Sequence, residues 1–169
     1  MERLKKDIQY INIVCDIYKD EEFLKLKEIE HHGGNRYEHS MLVSYYSYKI
    51  SKFLKLDYRQ TARAGLLHDF FLSDNNRTKK ERFISTFKHS KIALLNSSLK
   101  YILTEKEKDI IKCHMFPLGF SIPKYMESWI VSFVDKFVAI YEFSRKYLMK
   151  FKWKYVTNIY ILFLINFIR

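Results

Sequence analysis

Apolar residues recur along this chain at helical rather than strand intervals. In residues 5–18 the positions Ile8, Ile11, Val14, Ile17 and Tyr18 fall on one helical face, and Asp20-Glu21-Glu22 is the acid-rich opening of a second, short helix. The polar run HHGGNR interrupts the pattern. From Tyr37 to Lys55 a continuous stripe of His39, Leu42, Val43, Tyr46, Ile50 and Phe53 predicts a helix with a histidine at the N-terminal end of an apolar face. Asp57 with Gln60 is a capping box for the next helix, which runs to about Asp69. After the solvated loop SDNNRTKKER the pattern predicts a helix around Phe87–Ser97 and another opened by the box Thr104-x-x-Glu107 and reaching Met115. Pro117, Gly119 and Pro123 make the next break. Residues 124–143 are apolar nearly all round, which predicts a central, buried helix, and Asp135 is its one mid-helix acid. No repeat and no Pro/Ser-rich linker divides the chain, so a single domain is expected.

Composition supports a helical domain and locates the charge. With 169 residues, 48% apolar and 17% aromatic, the chain is expected to bury roughly two-thirds of its surface. Four Gly and two Pro leave little for a turn-rich β fold. Cys15 and Cys113 form no C-x-x-C, and the charged start MERLKKDIQY does not read as a secretory leader, so a reducing, cytoplasmic setting is expected. Six of the eleven net positive charges lie in the acid-free segment 143–169, leaving a mildly basic body with no base-reading motif. No specific nucleic-acid partner is expected. The terminal apolar run VTNIYILFLINFI is too short to span a bilayer. Packing of this last helix onto the domain or a second subunit is preferred to peripheral membrane contact through its basic prelude KYLMKFKWKY.

The chemistry lies in a small polar set on apolar helices. His39, His68, His89 and His114 sit on or at the ends of predicted helices, where an unpaired imidazole is costly to bury. The pair His68-Asp69 ends the run AGLLHD, and the buried carboxylate expected at Asp135 needs a partner. Singly, each has an ordinary reading: a hydrogen-bonded histidine, or an aspartate paired with Lys136 or Lys91. Together they are better explained by metal ligation. Neighbouring helical residues diverge by about 100°, so His68 and Asp69 can face two centres.

The order His39, His68-Asp69, His89, His114, Asp135 resembles the HD-domain superfamily of metal-dependent phosphohydrolases. The likeness covers about residues 35–142, through RYEHSMLVSYYSYKIS, DYRQTARAGLLHDFFL and WIVSFVDKFVAIYE, with His89 in KHSKIA and His114 in IIKCHM. It is similar to the dinuclear, bis-nucleoside tetraphosphatase type. The resemblance implies an all-α, single-domain HD-type bundle with the metal site at its centre. Residues 1–34 would pack on the core as N-terminal helices, and 143–169 would form a C-terminal helix of the same domain. It further implies two divalent ions (Fe, Mn, Co, Ni or Zn) held by the six residues. Asp69 would be the bridge, with His68 and Asp69 at the catalytic centre and a metal-bridged hydroxide attacking a nucleotide or related phosphate ester or anhydride. The chain reads MFPLGF after His114, so the GYP signature of cyclic-di-nucleotide phosphodiesterases is missing.

Arg36 is the first choice for binding substrate phosphate, since a guanidinium fork matches a phosphate; Lys136 and Lys88, adjacent to ligands, follow. His31 and His32 read as solvated loop residues and Cys113 as a buried, inert thiol. Segments 70–83 and 115–124 are the expected specificity loops. Two other functions share the ligand set: an HD-fold di-iron oxygenase, and a non-catalytic metal- or nucleotide-binding regulatory module.

Overall fold

The computed structural model describes the backbone of residue 4 and of residues 6–31, 34–72 and 79–167, and the side chains of residues 4, 6–30, 34–72 and 89–148. Within them the chain is mostly helical, as the periodicity predicts, and five of the helices start where a side chain satisfies an amide of the first turn. The Asp7 carboxylate accepts from the Tyr10 amide and opens α1 (Ile8–Tyr18). Asp20 accepts from the amides of Glu22 and Phe23 and opens α2 (Glu21–Leu24), and a 3-10 turn follows at Lys25–Glu28. Where the sequence suggested only loop, β1 (Glu30–His31) and β2 (Gly34–Asn35) pair antiparallel, Glu30 opposite Asn35. Asn35 caps α3 (Arg36–Phe53) through the Glu38 amide. Asp57 caps α4 (Tyr58–Leu67) through the Gln60 amide, but its own amide donates to Glu127, so only half of that capping box forms. α5 (Lys79–Lys100) begins earlier than the sequence suggested, and α6 (Glu105–Cys113) opens on the complete Thr104–Glu107 box.

The last helix differs from expectation in length and burial. α7 (Met126–Phe167) runs for 42 residues without a break, about 63 Å at 1.5 Å per residue. Residues 143–167 therefore extend this helix rather than forming a separate one. Nor is α7 buried all round: Ile130, Val131, Val134 and Val138 face the core, while Phe133, Phe137, Ile140 and Phe143 are exposed. Among the described residues no helix is long and apolar enough to cross a membrane. The side chains of the run 156–168 lie outside the described set.

The central position belongs instead to α4, where Thr61, Ala62, Ala64, Gly65, Leu66 and Leu67 are all buried. It can sit there because α3 approaches it closely. A Cβ placed on Gly65 would lie 3.1 Å from the Ser44 Cα. The face of α3 that accepts this approach is a stripe of small residues, Ser40, Ser44, Ser47 and Ser51, all fully buried. Ser44 ties the two helices together by donating to the Ala62 carbonyl at 2.6 Å and accepting from the Tyr10 hydroxyl at 2.8 Å.

This overturns part of the predicted inner face of α3, of which His39 and Val43 are buried. Tyr46, Ile50 and Phe53 are exposed, and Leu42 is half-buried. Leu42, Tyr46 and Ile50 line, with Val134, Phe137 and Tyr141 of α7, an open groove of about 640 Å³. The reason is distance: helices in close contact need short side chains between their axes, so the bulkier residues of α3 turn away from α4.

Candidate metal centre

His68 and His114 occupy equivalent places in the chain. Each is the residue at the C-terminal end of a helix, α4 and α6 respectively, with helical backbone angles. The last carbonyls of a helix have no amide partner within it. Here His68 Nδ1 lies 2.8 Å from the Gly65 carbonyl and His114 Nδ1 lies 2.8 Å from that of Ile111. A carbonyl only accepts, so each Nδ1 carries a proton, and each Nε2 faces the interior.

Those nitrogens meet the rest of the predicted set. His39, on the first turn of α3, places Nε2 3.0 Å from Asp135 Oδ1, and His68 Nε2 is 3.6 Å from the same oxygen. On the other side, Asp69 Oδ1 lies 3.5 Å from His89 Nε2 and 3.6 Å from His114 Nε2, and the two imidazole nitrogens are 2.9 Å apart. Asp69 Oδ2 turns toward His68 Nε2 at 4.0 Å. Thus α3, the end of α4, α5, the end of α6 and α7 bring all six residues together. Among the described residues, two groups could each hold an ion: His39, His68 and Asp135, and His68, Asp69 and His114. His68 is common to both groups.

The donor set fits divalent cations. His68 Nε2 is buried and makes no hydrogen bond, an arrangement that costs free energy unless something electron-poor meets it. Burial and the neighbouring His68 push His114 down to about 3, keeping it neutral and able to ligate. Burial would lower His39 too, but hydrogen bonds to Asp135 and Glu142 outweigh it and raise the imidazole to about 10. Burial would raise Asp135, yet its contacts with His39 and His68 hold it well below the usual carboxylate range. Without an ion the second proton of His39 balances the Asp135 carboxylate; a divalent cation at Nε2 would displace that proton, as metal binding to an imidazole does.

Two of the three predicted phosphate-binding cations, Arg36 and Lys136, make contacts within the protein. Arg36 is buried, donates from Nη1 to the Phe71 carbonyl at 2.6 Å, and lies 3.8 Å from the Phe71 ring centre. Its Nε is 3.9 Å from Asp69 Oδ2, so it steadies that carboxylate. Lys136 donates to the His114 carbonyl at 2.6 Å and to that of Ser132 at 3.0 Å. Burial lowers the Lys136 ammonium despite the attraction of Asp135. It clasps the end of α6 to α7. The side chains of Lys88, His31 and His32, and much of loop 70–83, lie outside the described residues. Sequence reasoning missed Glu142, whose Oε2 is 2.9 Å from His39 Nδ1. Its position seven residues after Asp135, on the same face of α7, was the available signal.

Cys113 stands beside His114 but points elsewhere, 3.6 Å from Asp109 Oδ1 and 3.5 Å from the Ile122 carbonyl. Burial and the Asp109 charge push its thiol up to about 12. Thiolate appears only as pH rises toward that value, so at pH 8, four units lower, about one molecule in 10⁴ carries it. Alkylation of the folded protein at pH 8, read by mass spectrometry, is expected at the half-buried Cys15 alone, with Cys113 reacting after denaturation. Equal labelling of the two would refute the assignment of Cys113 as inert.

Fold and site together define an all-α protein with buried histidine and aspartate groups that could hold metal ions. No family model matches the chain, and neither a curated protein nor a solved structure is similar enough to count as a relative.

Proposed function

We propose that this chain is a metal-dependent phosphohydrolase of the HD-domain type, acting on a nucleotide or a related phosphate ester or anhydride. One observation carries the reading. Four imidazoles and two carboxylates from five elements converge on one buried point, where His68 Nε2 makes no hydrogen bond. Structural roles alone do not account for so many acceptors meeting out of water.

His39, His68 and Asp135 would hold one ion, and His89, His114 and Asp69 Oδ1 the other. With Oδ1 toward His89 and His114 and Oδ2 toward His68, Asp69 would offer an oxygen to each half, whereas an imidazole nitrogen has one lone pair to give. Divalent cations bound there supply the Lewis acidity that activates water and offsets phosphate charge. The Gly65 and Ile111 carbonyls aim two of the imidazoles inward before any ligand arrives, and Arg36 holds the Asp69 carboxylate in place. Burial of the ligands keeps bulk water from competing for them. No serine or cysteine nucleophile is required, in keeping with the inert environment of Cys113.

The test is a nucleotide panel run on protein loaded anaerobically with Mn²⁺, read by phosphate release and chromatography. Release of phosphate or a nucleotide product without O₂ is expected. Strict dependence on iron and O₂, with no phosphoryl product, would overturn the hydrolase reading in favour of an oxygenase. Metal uptake without turnover of any member would overturn it in favour of a binding module.

A further inference from the structure

His39 is oriented differently from His68 and His114. Those two stand at helix C-termini, where carbonyls are left over to accept from Nδ1. His39 lies on the first turn of α3, where the unsatisfied backbone groups are amide donors and no spare carbonyl is provided. Its ring is fully buried, so an unmet Nδ1 proton there would be costly. What meets it is the Glu142 carboxylate, 2.9 Å away, from a residue whose side chain is 13% exposed.

Asp135 and Glu142 are seven residues apart, two turns of α7, and so present their carboxylates to His39 from one helix face. Asp135 Oδ1 meets Nε2 at 3.0 Å and Glu142 Oε2 meets Nδ1 at 2.9 Å. An imidazole whose far nitrogen donates to a carboxylate is fixed in tautomer and ring orientation, and its ligating nitrogen becomes a better electron donor. A backbone carbonyl fixes the tautomer as well but carries no full charge.

We infer that Glu142 is a positioning residue of the candidate metal centre, holding the proton on His39 Nδ1 and strengthening Nε2 as a ligand, so that the ion in the His39 half is bound more tightly. This rests on the functional reading above, because it assumes that His39 ligates. Glu142 itself touches neither the ion nor substrate.

The experiment titrates Co²⁺ into the metal-free protein, wild type, Glu142→Leu and Glu142→Gln, following the visible absorption of bound cobalt in competition with a chelator. Thermal melting of each metal-free variant is recorded alongside. For Glu142→Leu the weakening expected is 10- to 100-fold for one of two ions, with the other unchanged. Glu142→Gln keeps an acceptor but loses the charge, and should fall between. A structural role alone would lower the melting temperature and affect both ions alike, or neither, and that result would overturn the inference. So would unchanged cobalt affinities in both variants, while leaving the metal centre standing. A wild-type chain that binds no cobalt, manganese, iron, nickel or zinc would overturn the metal centre itself and this inference with it.

Discussion

Asp69→Ala is expected to lose the metal centre and to lower phosphate release roughly 10³-fold or more, about 4 kcal/mol of transition-state stabilisation. The carboxylate meets both halves of the site: Oδ1 lies 3.5 and 3.6 Å from His89 and His114, and Oδ2 lies 4.0 Å from His68. On the proposed function, removing it would take one ligand oxygen from each of the two ions. It also strips a negative charge from beside the buried Arg36 guanidinium at 3.9 Å, so part of the effect will fall on folding. Asp69→Asn separates the two effects, since it keeps the side-chain volume and one acceptor oxygen while losing the charge. Elemental analysis after dialysis should find metal content reduced in both variants, with the Asn variant melting closer to wild type. Full metal content in Asp69→Ala would refute the assignment of Asp69 as a ligand.

Phe23→Ala is expected to destabilise the protein by about 3–5 kcal/mol, the cost of removing a fully buried aromatic. Phe23 is the inward anchor of α2, a helix of only four residues, and is 0% exposed. Its ring packs 5.5 Å from Tyr37 and 6.1 Å from Phe70, measured between centroids. Tyr37 lies two residues before His39, and Phe70 directly follows Asp69. The N-terminal elements thus hold the backbone that carries three of the six candidate ligands. Urea denaturation of the metal-free protein measures the loss, and a fall in melting temperature of roughly 10 °C accompanies it. Lys100→Ala is the comparison. It removes the 2.6 Å surface pairing with Asp20 at the start of the same helix, and a pair so exposed contributes about 1 kcal/mol or less. A cost for Phe23→Ala no greater than for Lys100→Ala would show that α2 does not anchor the core.

Much of the site is legible in the sequence because its members break a local rule. An acid inside the most apolar helix, and histidines beside apolar faces, are costly unless they share a partner, so Asp135, His39, His68, His89 and His114 can be picked out by type and place. Helix starts are legible for a similarly local reason. The caps at Asp20, Asp57 and Thr104 act over two or three residues, within reach of sequence pattern. Charge offers no such guide. Arg36 and Lys136 read as substrate ligands because cations beside ligands suit phosphate; each also donates to a carbonyl distant in sequence, Phe71 and His114.

By itself, then, the sequence determined that the chain is helical, where most helices begin, and which six residues belong together, since these follow from local hydrogen bonding and from the cost of burying polar groups. Only the tertiary structure decided which face of each helix is inside. Apolar periodicity counts side chains but does not measure the separation of helix axes, and the close crossing at Gly65 selected the serine stripe of α3 over Tyr46, Ile50 and Phe53. It also placed Glu142 behind His39, a contact spanning 103 positions, because an imidazole on a helix's first turn must find its acceptor on another element.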